Sequence, residues 1–383
     1  MGFYLAFKEM WRNRGRFMLI SMVIALIAVL VLFTAGLAEG LGNGNREYLE
    51  KLNAELVVYK SNVDLSPAAS RLDRGTLHDV RQVAGVKDAG QVSFANVAIM
   101  LADNKTLNVS LIGVEPGHPG EPPVVTGRGL GDMRANEAIL DRNVAIRTKL
   151  QVGDTVKVKA IQGTKDEYYD LRVVGISDGR QNFLQPSLIV PALTFDKIKP
   201  KGAATPNDPQ LVSNIIAVQL ENPADLAGMK QRIESGVKDV TVVDRKTAYE
   251  ATPGYTAQQG TLNTQQVFVL LIGVLVIGGF FQIQMLQKVP QIGVLKAIGA
   301  TNPAIAVAVV VQIIASTVLG IGIGTLGTLA LSLSFPPTIP IIFSPNAIAL
   351  SVASLMLIGP VGGMVSVQYA VRVEPLTALG LSA

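Results

Sequence analysis

No convergent set of nucleophilic, acidic or metal-ligating side chains rises above chance in this chain. The two histidines, His78 and His118, stand in unrelated contexts without metal-ligand spacing, and both are expected at a water-exposed surface. Cysteine is absent, which removes disulfides, zinc–thiolate sites and iron–sulfur clusters. Gly163-Thr-Lys165 lacks the residue order of a phosphate loop, where a glycine-rich turn ending in Gly-Lys-Ser/Thr aims backbone amides at phosphates. The long apolar stretches contain no carboxylate or amine, so a proton- or sodium-coupled pathway has no ionisable residue to mark it. Their polar members, Gln282, Gln284, Gln312, Ser316, Thr317 and Thr325, are expected to hydrogen-bond between helices. What remains is mechanical. Ile292, Leu295 and Ile298 recur every three residues, which predicts a short helix stopped by Gly299, and Asn302 is placed to cap a following helix that Pro303 begins. A rigid apolar segment hinged to two longer helices can transmit a push. A simple reversal loop needs neither the stripe nor the length.

The elements that must position this segment are set by charge. Ala297 to Val371 is a run of 75 residues without Lys, Arg, Asp or Glu. A charge at the bilayer centre costs about 2.5–3.5 kcal/mol, and one span needs roughly 20 residues, so the run predicts two membrane spans at 304–333 and 346–369. Phe17 to Ala38 and Val267 to Gln287 are also uncharged and predict two more, at 17–38 and 267–287. The first is too long for the 7–15-residue core of a signal peptide and is expected to stay as an anchor. Lys8, Arg12, Arg14 and Arg16 precede it against the single acid Glu9, which places the amino terminus in the cytoplasm and, with four spans, the tail 370–383 there too. Phe3, Phe7, Met10, Trp11 and Arg14 recur at helical spacing, so residues 1–16 are expected to form an amphipathic helix at the headgroup boundary. The net charge of +4 is accounted for by this flank, and no nucleic-acid partner is needed.

Between the first two spans, residues 39–266 hold most of the acids and both histidines, and alternate in strand-like runs. They predict a large α/β extracytoplasmic domain. Strands are expected at Ala54 to Tyr59, Gln91 to Met100, Leu107 to Val114, Ile215 to Leu220 and Val240 to Val243. Helices are expected at Leu77 to Val83 and Pro223 to Ser235, the latter capped by Gly236. The α/β pattern at both ends of the insert implies one lobe built from both, carrying a β-rich lobe made from the middle. Lys199 to Pro209 is expected as a loop, and Thr247 to Gln266 as a helical stalk entering the second span. The fold class is therefore an α-helical membrane protein with four transmembrane helices and this domain between the first and second. Gly320, Gly324 and Gly327, with Gly273, Gly278 and Gly279, supply small faces for helix contact, within the chain or in a dimer.

The segment VPQIGVLKAIGATNPAI resembles the pattern R-E-I-(G/A)-x-L-(R/K)-A-(I/L/V)-G-A-(S/T) of four-span permeases of the MacB/FtsX type, the mechanotransmitting class of ABC transporters. The closing RVEPLTALG is similar to that family's (I/V)-(D/E)-P-(A/L)-x-A-L, and the likeness covers essentially the whole chain. Within the family the amino-terminal segment resembles haem-exporter-type permeases. The resemblance implies a homodimer in a bacterial plasma membrane, bound to two copies of a separate cytoplasmic ATPase that carries the ATP and Mg. No cofactor is expected on this chain itself. ATPase coupling falls to 288–303, and within it to Ile292, Gly293, Val294, Leu295, Lys296, Ala297, Ile298, Gly299 and Ala300. The work implied is expulsion of a hydrophobic or amphipathic substrate, haem among them; the alternative is FtsX-like transmembrane control of cell-wall hydrolases. The family's Arg-Glu pair is Pro290-Gln291 here, which shifts the expected docking contact to apolar packing or to Lys288 and Lys296.

Overall fold

A computed structural model of the chain describes residues 2–101, 105–201, 212–335 and 341–372. They form two compact units, Gly42–Gln258 and the combination of Met1–Leu41 with Gln259–Ala383. In chain order, α1 (Gly2–Arg12) and α2 (Arg14–Glu50) are followed by β1 (Leu56–Lys60), α3 (Arg74–Gln82), β2 (Val86–Met100), β3 (Thr106–Val114), β4 (Val124–Gly127) and β5 (Glu137–Asp141). Then come α4 (Arg142–Thr148), β6 (Thr155–Gln162), β7 (Lys165–Ser177), β8 (Ser187–Pro191), α5 (Ala192–Ile198), β9 (Ile215–Leu220), α6 (Leu226–Gly236), β10 (Val240–Asp244) and α7 (Arg245–Glu250). The chain continues through α8 (Tyr255–Ala297), α9 (Asn302–Ser334) and α10 (Pro345–Arg372).

Four of these helices, α2, α8, α9 and α10, are long and apolar enough to cross a membrane. Within their unit the crossings are close because glycines face backbone. A Cβ on Gly278 would lie 2.8 Å from the Gly362 carbonyl oxygen, and one on Gly362 would lie 2.7 Å from that of Val274, which seats α8 on α10. Gly320 and Gly324 of α9 meet the side chains of Ile24 and Ala28 and the carbonyl oxygens of Ser21 and Ala25 on α2. Intrachain packing thus occupies most of the small face seen in the sequence; Gly279 alone of the six has open space beside it. Of the polar members, Gln312 and Gln282 do bond between helices, the latter receiving Ser366 Oγ at 3.4 Å. Thr317 and Thr325 instead bond back to the carbonyls of Ile313 and Ile321 in their own helix.

In the inserted unit ten strands form one sheet, in the order β10-β1-β9-β2-β3-β8-β5-β7-β4, with β6 pairing both β2 and β7. The two ends of the insert meet, since β1 pairs antiparallel with both β9 and β10. β1 reads LVVYK without alternation because both of its faces are covered. Leu56 and Val58 pack with Leu77, Val80, Met229 and Ile233 of α3 and α6, while Val57 and Tyr59 pack with Tyr48, Leu52 and Ala248 on the other side. The middle of the insert closes on itself: β2, β3, β8, β5, β7 and β6 pair in a ring, and β6 returns to β2 through Ala98 and Ile99. The interior is filled by Ile99, Leu111, Leu140, Val158, Leu171 and Val190, so this lobe is a small packed barrel.

Several boundaries differ from the sequence reading. Asp73 and Asp225 cap α3 and α6 through bonds from Thr76 and Gly228 amides, which moves both helix starts. Gly236 lies inside α6, and Val237 in extended conformation ends it. Gly163 is the positive-φ residue of the two-residue turn joining β6 to β7. The tail beyond Arg372, most of the 199–209 loop and residues 336–340 lie outside the described residues.

Candidate functional site

The segment expected to be a separate short helix over 292–298 is instead the end of α8, which runs without interruption through Pro290 to Ala297, with Ile298 in the turn that follows. Its end is built by Gly299. With φ of +102° this residue takes the left-handed conformation, the Gly299 amide bonds the Lys296 carbonyl at 3.0 Å, and the Ala300 amide reaches back to Leu295 at 2.9 Å. Thr301, in extended conformation, then takes the cap position of α9, so Asn302 and Pro303 occupy its first turn rather than cap and first residue.

A three-residue spacing on an α-helix drifts by about 60° per step, because each residue turns about 100°. Ile292, Leu295 and Ile298 therefore do not share one face. Ile292 is buried at 6% exposure, Leu295 is half-buried, and Ile298 stands 79% exposed with Val294 at 44% beside it. Gly293 is buried, Ala297 and Gly299 are exposed, and Lys296 and Ala300 are half-buried. The segment has an anchored side and an open apolar side.

The anchored side rests on a polar cluster that sequence reasoning did not assemble. Lys288 Nζ lies 2.6 Å from Glu9 Oε1 and donates to Gln312 Oε1 at 2.9 Å, while Gln312 Nε2 donates to Glu9 Oε2 at 2.7 Å. The ammonium also stands 5.3 Å over the Phe17 ring. Helices α1, α8 and α9 are thereby joined through one closed loop of charge-assisted bonds. A cavity of about 70 Å³ lies against it, lined by Leu295, Ile292, Ala304 and Ala308 among others. The sequence offered one signal, a lone acid in a basic flank, but its partners are far away along the chain. Lys288, expected as a docking charge, is buried and neutralised by Glu9. Lys296, the other docking charge expected, donates to the Val371 carbonyl at 2.7 Å and ties the end of α8 to that of α10.

The inserted unit places its histidines apart. His118 Nδ1 sits 3.0 Å from both Asp88 carboxylate oxygens, beside an Arg81–Glu115 pair at 2.6 Å, and His78 contacts Gln82 Nε2 at 2.9 Å. Among the described residues no set of three or more His, Cys, Asp or Glu side chains could hold a metal ion. A buried polar network organises residues 178–187: Glu47 pairs with Lys51 at 2.7 Å and accepts from the Gln181 amide at 3.0 Å, and Arg180 pairs with Asp178 at 2.8 Å. Asp141, fully buried, caps α4 and accepts from the Ser187 amide at 3.3 Å. Burial pushes its carboxyl above the usual range, against the pull of these amides.

Four membrane-length helices, an α/β domain inserted after the first, and an apolar turn exposed where the second meets the third define an ABC transporter permease of the MacB/FtsX type. The chain belongs to that family: residues 17–235 match the MacB-like periplasmic core domain, and residues 266–375 match the FtsX-like permease C-terminal domain. Its relatives include HrtB of Staphylococcus haemolyticus, named as the permease of a hemin transport system, at 26% identity over 376 residues. The alignment covers 98% of this chain and 99% of the relative. HrtB of Staphylococcus epidermidis is 24% identical over 376 residues, and an ABC transporter permease of Mycobacterium tuberculosis 23% over 386, both with the same coverage. Among solved structures, the extracellular domain of YknZ, a noncanonical ABC-type transporter of Gram-positive bacteria, aligns with 15% identity and a TM-score of 0.36 over 50% of this chain and 100% of its own. The periplasmic region of MacB from Actinobacillus actinomycetemcomitans aligns with 14% identity and a TM-score of 0.36 over 52% and 94%.

Proposed function

We propose that this permease couples ATP hydrolysis on a separate cytoplasmic ATPase to expulsion of a hydrophobic or amphipathic substrate, with haem the leading candidate. Two copies of the chain and two of the ATPase form the complex, in a bacterial plasma membrane with both termini in the cytoplasm. The inserted α/β domain is then extracytoplasmic. ATP-driven closure of the ATPase pair presses on the open side of the α8 end, Val294 and Ile298. The anchored side, Ile292 and Leu295, passes the displacement into the bundle and through it to the inserted domain.

The observation that carries this reading is the asymmetry of the α8 end. Val294, 44% exposed, stands two residues from the buried Ile292 on α8, and Ile298, 79% exposed, follows directly after the helix's last residue; one anchored and one open apolar side is what a docking lever requires. The α8 end also falls in the segment shared with FtsX-like permeases. Haem is favoured by the hemin transport systems for which the Staphylococcus relatives are named. The positive flank Lys8 to Arg16 favours the cytoplasmic placement of the amino terminus.

The test is ATP-dependent haem efflux and ATP turnover in proteoliposomes holding this chain with its ATPase, wild type against Leu295→Asp and the surface variant Ile298→Asp. Wild type should move haem and raise turnover in its presence. Both variants should insert normally and lose the haem-dependent turnover. Full activity in both variants removes the lever; turnover without a haem response in wild type removes haem as the substrate.

A further inference from the structure

Beside the lever cluster, an open apolar groove of about 390 Å³ lies along the junction of α1 and α2, against α9. Trp11, Phe17, Met18, Leu319 and Ile323 line it, and Arg14 is its one charged wall. Trp11 and Met18 are 73% and 71% exposed, so the groove opens outward from the helices. Its size is that of a small-ligand site, and two of the helices that form it, α2 and α9, are long and apolar enough to cross a membrane.

The charge around it is one-sided. Arg12, Arg14 and Arg16 are exposed, and among the described residues none of the three has a carboxylate within ion-pair distance. The single acid of α1, Glu9, is committed to Lys288 and Gln312. An apolar trough with the Arg14 guanidinium at its wall, and Arg12 and Arg16 two residues away along the chain, is complementary to a molecule with a long apolar chain and an anionic head.

We propose that this groove is a binding site for an anionic phospholipid, one acyl chain lying along Trp11, Met18 and Leu319 and the phosphate held by Arg14, with Arg12 and Arg16 adding positive potential from outside the groove. The lipid comes from the surrounding bilayer leaflet. By filling the gap between α1 and α9, it secures the helix that carries Glu9, and so makes the lever cluster sensitive to the membrane's anionic lipid content. A zwitterionic phospholipid offers the same apolar chain and the same phosphate, but its headgroup cation is repelled by the positive charge of Arg12, Arg14 and Arg16.

Trp11 is the sole tryptophan of the chain, so its fluorescence reports from inside the groove. The full chain would be reconstituted in phosphatidylcholine vesicles with increasing fractions of acyl-brominated phosphatidylglycerol, which quenches tryptophan on contact, or of brominated phosphatidylcholine. Wild type should be half-quenched at a several-fold lower fraction of the anionic lipid. Arg14→Gln should reduce that preference by about five-fold, the contribution of one basic residue near a charged surface, and the triple Arg12→Gln, Arg14→Gln, Arg16→Gln should abolish it. The phosphatidylcholine curve must stay unchanged in the variants, which shows that Trp11 still faces lipid. Arg14→Lys should keep most of the preference if a variant inserts poorly. Identical curves for the two lipids in wild type, or a preference that survives the triple substitution, overturn the site. Saturable quenching by hemin without any anionic-lipid preference would instead hand the groove to the transported substrate.

Discussion

Lys288 and Glu9 approach to 2.6 Å, and the contact fastens the amino-terminal helix α1 to the last part of α8. Gln312 of α9 bonds both partners, so three helices share one polar centre in an otherwise apolar packing. Removing one member of such a pair strands the other charge, which costs about 3–5 kcal/mol when burial is complete and less for the partly accessible Glu9. Glu9→Ala and Lys288→Met are each expected to lower the thermal midpoint in detergent, Lys288→Met by less because methionine fills the space. The double variant should recover part of the loss, giving a coupling energy of about 1 kcal/mol or more. Strictly additive losses would show that the two groups act independently.

Gly278 and Gly279 are adjacent on α8 yet face opposite circumstances. A methyl group on Gly278 meets the Gly362 backbone, which cannot swing aside, whereas one on Gly279 meets nothing within 4 Å. Gly278→Ala should therefore destabilise the bundle by about 1–3 kcal/mol through forced separation of α8 and α10. Gly279→Ala should be neutral or stabilise by up to about 1 kcal/mol through helix propensity. Differential scanning fluorimetry of the two variants side by side decides this; equal midpoints would mean that the α8–α10 crossing is looser than described.

The sequence made the membrane helices legible because the penalty for buried charge leaves long gaps in the charge pattern, and α2, α8, α9 and α10 lie on those gaps. It also showed that the two ends of the insert belong together, through the matching strand–helix–strand patterns that become β1, β9 and β10. Closure of the barrel was not legible. It depends on β2 serving β9 with one half and β6 with the other, and only Ala98 and Ile99 make the closing pairs. The 292–298 segment was legible as apolar, but its two-sided character follows from angular drift along the helix. The Glu9–Lys288–Gln312 centre escaped because a charge beside a span ordinarily faces the headgroups, and nothing local in the sequence reveals a remote partner.

Asp141 makes stability of the inserted domain depend on pH with a defined sign. Its carboxyl is raised by burial, so between the unfolded value and the higher folded value the folded chain holds an extra proton. That contribution is fully present below the unfolded value and is lost as pH rises through the folded one. Asp141→Asn locks the neutral form but sacrifices one of two acceptors, toward the Asn143 or Ser187 amide, at about 1–3 kcal/mol. The variant should be less stable than wild type at acid pH, and the gap should narrow as pH rises. Denaturant midpoints of the full chain across that range check it; a gap independent of pH would mean that Asp141 does not titrate within it.

The two sides of the lever predict opposite phenotypes for similar substitutions. Ile292 is packed with Met285, Ile305 and Val309, so Ile292→Ala leaves a cavity and should cost about 2–5 kcal/mol of bundle stability. Ile298→Ala and Val294→Ala remove side chains that already face outward and should shift stability by no more than about 0.5 kcal/mol. If the open side docks the ATPase, the same two variants should weaken its association with the permease by about five-fold or more, as expected for an apolar anchor at a protein interface. Thermal midpoints and a binding titration with the purified ATPase, performed on all three variants, separate the roles. Normal ATPase affinity in the Val294→Ala, Ile298→Ala double variant would move the docking surface away from the α8 end, while leaving Ile292 as a packing residue of the bundle.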